Sequence, residues 1–262
     1  MHHQVSTRIR RSARCCAITF RRYGEVVQRG LPAKGSRILP YKRLIIEADW
    51  VDSRSPLKRV PFTSTLVNRH DNGVVSEQSV TTAGDSAVTW AYFRTYYRMA
   101  DLRSQELWGD SQIGMANLKD STAIRATPQT LVKGAEFDMS VPQPSRKGEK
   151  RMQCRVGNTK PAFDVFASLT GSAVETHCSV ATQSGFVVEY DGVWLTDYNV
   201  DLTLKYREES GTTDVVFRNI SIEPNLSLKV RGSSVEDAAR NPQRKQRRAA
   251  AVDEMPQICF SC

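Results

Sequence analysis

Arg151-Met152-Gln153-Cys154-Arg155-Val156 and Val174-Glu175-Thr176-His177-Cys178-Ser179-Val180 decide the reading of this chain. In the first stretch Met152, Cys154 and Val156 alternate with Arg151, Gln153 and Arg155. In the second, Val174, Thr176, Cys178 and Val180 alternate with Glu175, His177 and Ser179. A period of two sends successive side chains to opposite faces of a β-strand, so each cysteine falls on the apolar face of its own strand. Cys154 and Cys178 therefore suit an internal disulfide, and a disulfide argues for an oxidising compartment. Two buried free thiols are the alternative, because free cysteine packs like a small apolar residue.

The same alternation recurs on both sides. Leu44, Ile45 and Ile46 begin a strand toward Trp50, and Phe62, Ser64 and Leu66 alternate with Thr63, Thr65 and Val67. Asp71-Asn72-Gly73 then precedes the 74–82 run. Asn-Gly between β-prone runs is a hairpin signal, since both central residues need positive φ. Residues 87–99 fit a strand through Val88, Trp90 and Tyr92, or a helix through Phe93, Tyr96 and Tyr97; their β-forming composition favours the strand. The 101–130 run is less regular, with short strands and a long connection around Trp108-Gly109-Asp110. Phe137, Met139 and Val141 alternate until Pro142 and Pro144 stop the strand. A polar turn follows over 145–150, and 160–170 suits a short helix with Phe163, Phe166 and Leu169.

Beyond the Cys178 strand, Ser184-Gly185 is a turn and Asp191-Gly192 a bend. Val200, Leu202, Leu204 and Tyr206 then alternate with Asp201, Thr203 and Lys205. Residues 208–211 turn into a last strand through Val215 and Phe217. Strands at this spacing predict a mainly β fold, an antiparallel β-sandwich or barrel-like sheet, over residues 41–226. The halves 41–130 and 131–226 read as two β layers of one domain or as two subdomains.

The net charge of +9 is unevenly placed. Residues 1–43 carry a net +10 and residues 227–262 a net +3, which leaves 44–226 at −4. Segments 1–40 and 227–262 lack apolar periodicity and are expected to be disordered basic tails. Such tails attract phosphate without reading bases, while an acidic core repels it, so no specific nucleic-acid partner is expected. No apolar run reaches the eighteen or so residues that a transmembrane helix needs. The stretch Cys15-Cys16-Ala17-Ile18-Thr19-Phe20, between Arg14 and Arg21, is too short for a secretory leader. A periplasmic or secreted location therefore calls for a signal peptide on a start other than the one written.

No catalytic residue, cofactor site or metal site is expected. The chain has no Gly-x-Ser-x-Gly elbow, no His-Glu-x-x-His pair and no phosphate-cradling glycine loop. His2 and His3 lie in the basic N-terminal segment, His70 beside the Asn-Gly turn, and His177 on the polar face of its strand near Glu175. Cys259-Phe260-Ser261-Cys262 has redox spacing, but the chain ends before any helix that would activate the first thiol. With Cys15 and Cys16 it would make an unusual zinc set. Asp191, Asp197, Asp201 and Trp194 fall close together, as do the carboxylates and rings that act on sugars. Turns favour aspartate on their own account.

Several short elements carry a resemblance: Lys133-Gly134, Cys154-Arg155-Val156-Gly157, Leu169-Thr170-Gly171-Ser172-Ala173, Cys178 and Leu195-Thr196-Asp197-Tyr198. Over about residues 131–206 the chain resembles a type of uncharacterised β-rich envelope or periplasmic protein of proteobacteria. In that pattern a glycine follows the tyrosine; here Asn199 stands there, and asparagine tolerates positive φ. The resemblance implies an exported β domain and supplies no activity. The expected function is a non-catalytic, exported binding or structural domain of the cell envelope, whose partner is an unidentified envelope protein or surface component. The alternatives are a nucleic-acid-associated protein acting through its tails, and a hydrolase with an unrecognised site.

Overall fold

Alternating β-branched and aromatic residues build twelve strands among the described residues of this computed structural model. The structure describes residues 29–83, 87–108, 111–117, 131–142, 149–181 and 185–226. Of the expected tails, 1–40 and 227–262, residues 1–28 and 227–262, with Cys15, Cys16, Cys259 and Cys262, lie outside the described residues, as do Gly109, Asp110 and most of the 145–150 turn. The strands are β1 (Tyr41–Asp52), β2 (Arg59–Asn68), β3 (Val74–Ala83), β4 (Ala87–Tyr97), β5 (Ala100–Trp108), β6 (Ser111–Asn117), β7 (Glu136–Pro142), β8 (Glu149–Pro161), β9 (Ser172–Ala181), β10 (Val187–Leu195), β11 (Val200–Glu208) and β12 (Gly211–Pro224). They form one sheet in the order β6-β5-β4-β3-β2-β1-β12-β11-β10-β9-β8-β7. Neighbours are antiparallel, and the first strand pairs with the last, Ile46 opposite Ile220. β7 also comes beside β5, which draws the two free edges together. The sheet is thus a nearly closed antiparallel barrel, the mainly β fold expected.

Several local expectations change. β5 and β6 leave two residues between them, so the 108–110 connection is short. The 160–170 segment holds only a 3-10 turn, Ala162–Asp164. Positive φ falls on Asp71 and Gly73 rather than on Asn72 and Gly73. The reason is a contact outside the hairpin. Asn72 donates to the Pro32 carbonyl at 3.2 Å and accepts from the Val74 N–H at 3.1 Å. Gly35 and Arg37 donate backbone hydrogen bonds to the carbonyls of His70 and Asp71, and Leu39 is buried. Folded structure therefore begins ahead of the expected boundary at 40.

Two bulges matter for the interior. Tyr96 faces Asp101 while Thr95 faces Arg103, so Leu102 is the extra residue in β5. Asp191 faces Lys205 while Gly192 faces Thr203, so Leu204 is the extra residue in β11. The expected bend at Asp191-Gly192 is this bulge, within continuous strands. Each extra residue resets the two-residue alternation. The apolar face expected through Val200, Leu202, Leu204 and Tyr206 is broken there.

One end of the barrel is plugged by Tyr41, Leu44, Val75, Tyr96, Leu169, Tyr198 and Val200. β11 and β12 pair only from Lys205↔Asp214 to Glu208↔Gly211. Past that point the 162–171 segment enters the gap, where Ser168 Oγ donates to the Ile220 carbonyl at 2.9 Å. The outer face carries cross-strand ion pairs, among them Arg43–Glu223, Arg151–Asp138, Lys205–Asp214 and Arg207–Glu189. Charges on that face mark it as the face toward water. No helix among the described residues is long and apolar enough to cross a membrane.

Candidate functional site

The inward positions of β3, β4, β5, β10 and β11 enclose a cavity with two connected lobes, of about 440 and 730 Å³. Both are lined by Glu77, Trp90, Arg94, Glu106, Tyr190, Asp201 and Thr203. Alternation along β4 aims Trp90, Tyr92, Arg94 and Tyr96 at one face. The bulge at Leu102 lets Asp101 face Tyr96 and Ser104 face Arg94. The bulge at Leu204 lets Asp201, Thr203 and Tyr206 share the inner side with Tyr190, Gly192 and Trp194.

The centre is charged. Arg94 Nε donates to Glu77 Oε2 at 2.6 Å, and its Nη1 lies 3.6 Å from Asp101 Oδ1. Its guanidinium sits 4.7 Å from the centre of the Tyr96 ring. Burial works against the Arg94 charge, but Glu77 and Asp101 outweigh it and hold the proton more firmly. Burial pushes the carboxyl of Asp101 up to about 6, with Arg94 opposing and Glu77 reinforcing the rise. Asp201 rises to about 6 for the same first reason. It keeps some exposed area because it borders the cavity, yet it lies deep in the barrel. Among the described residues the side chain of Asp201 makes no hydrogen bond or ion pair. Glu77 is further held by Ser79 Oγ at 3.3 Å, and Ser79 meets Ser64 at 2.5 Å.

Toward the far lobe the wall turns aromatic. Trp50 stacks on Phe62 and meets Trp90 edge-on, and Trp90 stacks on Tyr92. Trp90 Nε1 donates to Glu106 at 2.9 Å. Rings held by neighbours and by a hydrogen bond are pre-ordered to receive a ligand.

Cys154 and Cys178 are partners across β8 and β9, with sulfur atoms 2.05 Å apart, in disulfide range. Cys178 also borders the cavity. The three aspartates grouped in the sequence separate. Asp191 pairs with His177 Nδ1 at 2.7 Å on the outer face, Asp197 lies in the turn after β10, and Asp201 enters the cavity beside Trp194. His70 is exposed. No group of metal-ligating side chains occurs among the described residues.

Two of the resembling elements, residues 169–173 and 195–198, meet at the plugged end. Thr170 N–H donates to the Tyr198 hydroxyl at 3.1 Å, and Thr196 N–H to the Ser172 carbonyl. Gly171, at φ +80, abuts Asp197. Asn199 adopts φ 56 and donates to the Gly73 carbonyl at 2.9 Å, tying both halves of the barrel. These residues build structure and not the cavity wall.

Glu77, Arg94 and Asp101 went unmarked in the sequence. The available signal was phase: Arg94 shares the even-numbered positions of Trp90, Tyr92 and Tyr96. Compared with known proteins, the chain matches no family model, no curated protein and no solved structure, so its functional reading rests on this cavity.

Proposed function

We propose that this chain is a non-catalytic binding protein that holds a small ligand inside its barrel, and that it works in an oxidising compartment such as a proteobacterial envelope. The observation that carries the binding reading is the two-lobed cavity, whose size suits a small organic molecule and whose wall combines fixed rings with a few polar groups. The Cys154–Cys178 pair and the likeness over residues 131–206 support the compartment.

Titration with the neutral fluorescent probe N-phenyl-1-naphthylamine tests the cavity. Saturable binding at one site per chain is expected. Thr203→Trp, which adds bulk where the two lobes meet, should weaken it at least about 10-fold, on the scale of a lost buried aromatic contact. Absence of saturable binding by the parent protein sinks the reading. So does unchanged affinity in a Thr203→Trp protein that retains its near-ultraviolet circular dichroism.

A further inference from the structure

We infer that the ligand is a small organic cation, a protonated amine on an apolar or aromatic body; the inference rests on the cavity reading above. The smaller lobe is lined by four carboxylates, Glu77, Asp101, Glu106 and Asp201, against two arginines, Arg94 and Arg98. Arg94 is already matched by Glu77 and Asp101. Asp201 senses Arg94 through space but has no such partner at contact distance, and isolation of a carboxylate from water is costly. An incoming cation supplies the missing charge.

A second observation is independent of the acids. Tyr96 lines the same lobe, is 2% exposed, and its hydroxyl has no hydrogen-bond partner. Buried hydroxyls without partners are uncommon and mark places where something else completes the bond. An ammonium N–H donates both to a carboxylate and to a phenol oxygen, whereas a quaternary ammonium donates to neither. Trp90, Tyr92 and Tyr190 line the same lobe, and aromatic rings attract cations as they do not attract a neutral or anionic ligand. The excess of carboxylates and the ring wall point to one class, while Arg98 Nε, buried without a hydrogen-bond partner among the described residues on the same lobe, is a donor left for an acceptor group of the ligand.

The test is displacement of N-phenyl-1-naphthylamine at pH 7.5 by three molecules of one shape: 2-phenylethylamine, 2-phenylethanol and 3-phenylpropionate. The amine is expected to displace the probe at least about 10-fold more effectively than the alcohol, and the carboxylate least of all. Asp201→Asn should remove the amine's advantage over the alcohol, each displacement being read against the variant's own affinity for the probe. Equal displacement by amine and alcohol, or preference for the carboxylate, overturns the cation while the cavity reading stands. A protein that binds no probe at all overturns both. An amine preference that survives Asp201→Asn overturns the assignment to Asp201.

Discussion

Asp101 and Asp201 hold their protons more tightly in the folded protein than in the unfolded chain, since burial raises each from 3.8 to about 6. The folded state therefore binds more protons between these values, and stability rises as pH falls from 7 through 6, levelling off below about 4. Each shift corresponds to roughly 3 kcal/mol at most, and two acids that sense the same Arg94 deliver less than the sum. Urea denaturation should show the protein more stable at pH 5 than at pH 7, by about 2 kcal/mol. Asp201→Asn should stabilise it at pH 7 and flatten this dependence. A parent protein that loses stability between pH 7 and pH 5 contradicts the burial of these carboxyls. The two residues were not equally visible in the sequence. Asp201 stood out beside Trp194, whereas Asp101 sits in the least regular run of the chain.

Among the elements, β8 and β9 carry the feature most plainly written in the sequence. Alternation placed Cys154 and Cys178 on apolar faces, and the strands pair so that the two stand opposite each other. Their separation of 24 residues closes a loop whose cross-link restricts the unfolded chain by about 3 kcal/mol. Protein made under oxidising conditions should yield a Cys154–Cys178 linked peptide in a non-reducing map. The double change to alanine should lower the unfolding free energy by about 2–4 kcal/mol. Recovery of both thiols free would remove the support for an oxidising compartment. The strands themselves were legible because period-two patterning is local. Bulges were not, because Leu102 and Leu204 are ordinary strand residues whose displacement is set by the opposing strand. That is why the interior was misread: a single inserted residue moves Asp201 and Thr203 onto the wall of a cavity and takes Leu204 out of register. The Asn72 loop was misread for a related reason, since its conformation is fixed by Pro32, a residue distant in the chain.

At the scale of the molecule, charge is unevenly placed: exposed cross-strand ion pairs on the outside, an acid-rich and aromatic interior in which Arg94 pairs with Glu77 and Asp101, and net +10 in residues 1–43. Composition revealed the segregation along the chain but not the division between outside and inside, which needs the sheet to close. The closure has a consequence in time. Every pairing joins strands consecutive in the chain except that of β1 with β12, so ten of the pairings are local and one joins the two ends of the fold. Closing a long loop costs entropy that short hairpins do not, and topologies with distant contacts fold slowly. The two meanders should therefore form first and the β1–β12 seam last. Ile46 and Ile220 face each other on that seam and are both buried. Ile220→Ala should cost about 2–5 kcal/mol, felt almost wholly as faster unfolding, with a φ-value below about 0.3. A value near 1 would mean that the ends of the chain meet early, and the barrel would then be assembled from its seam outward.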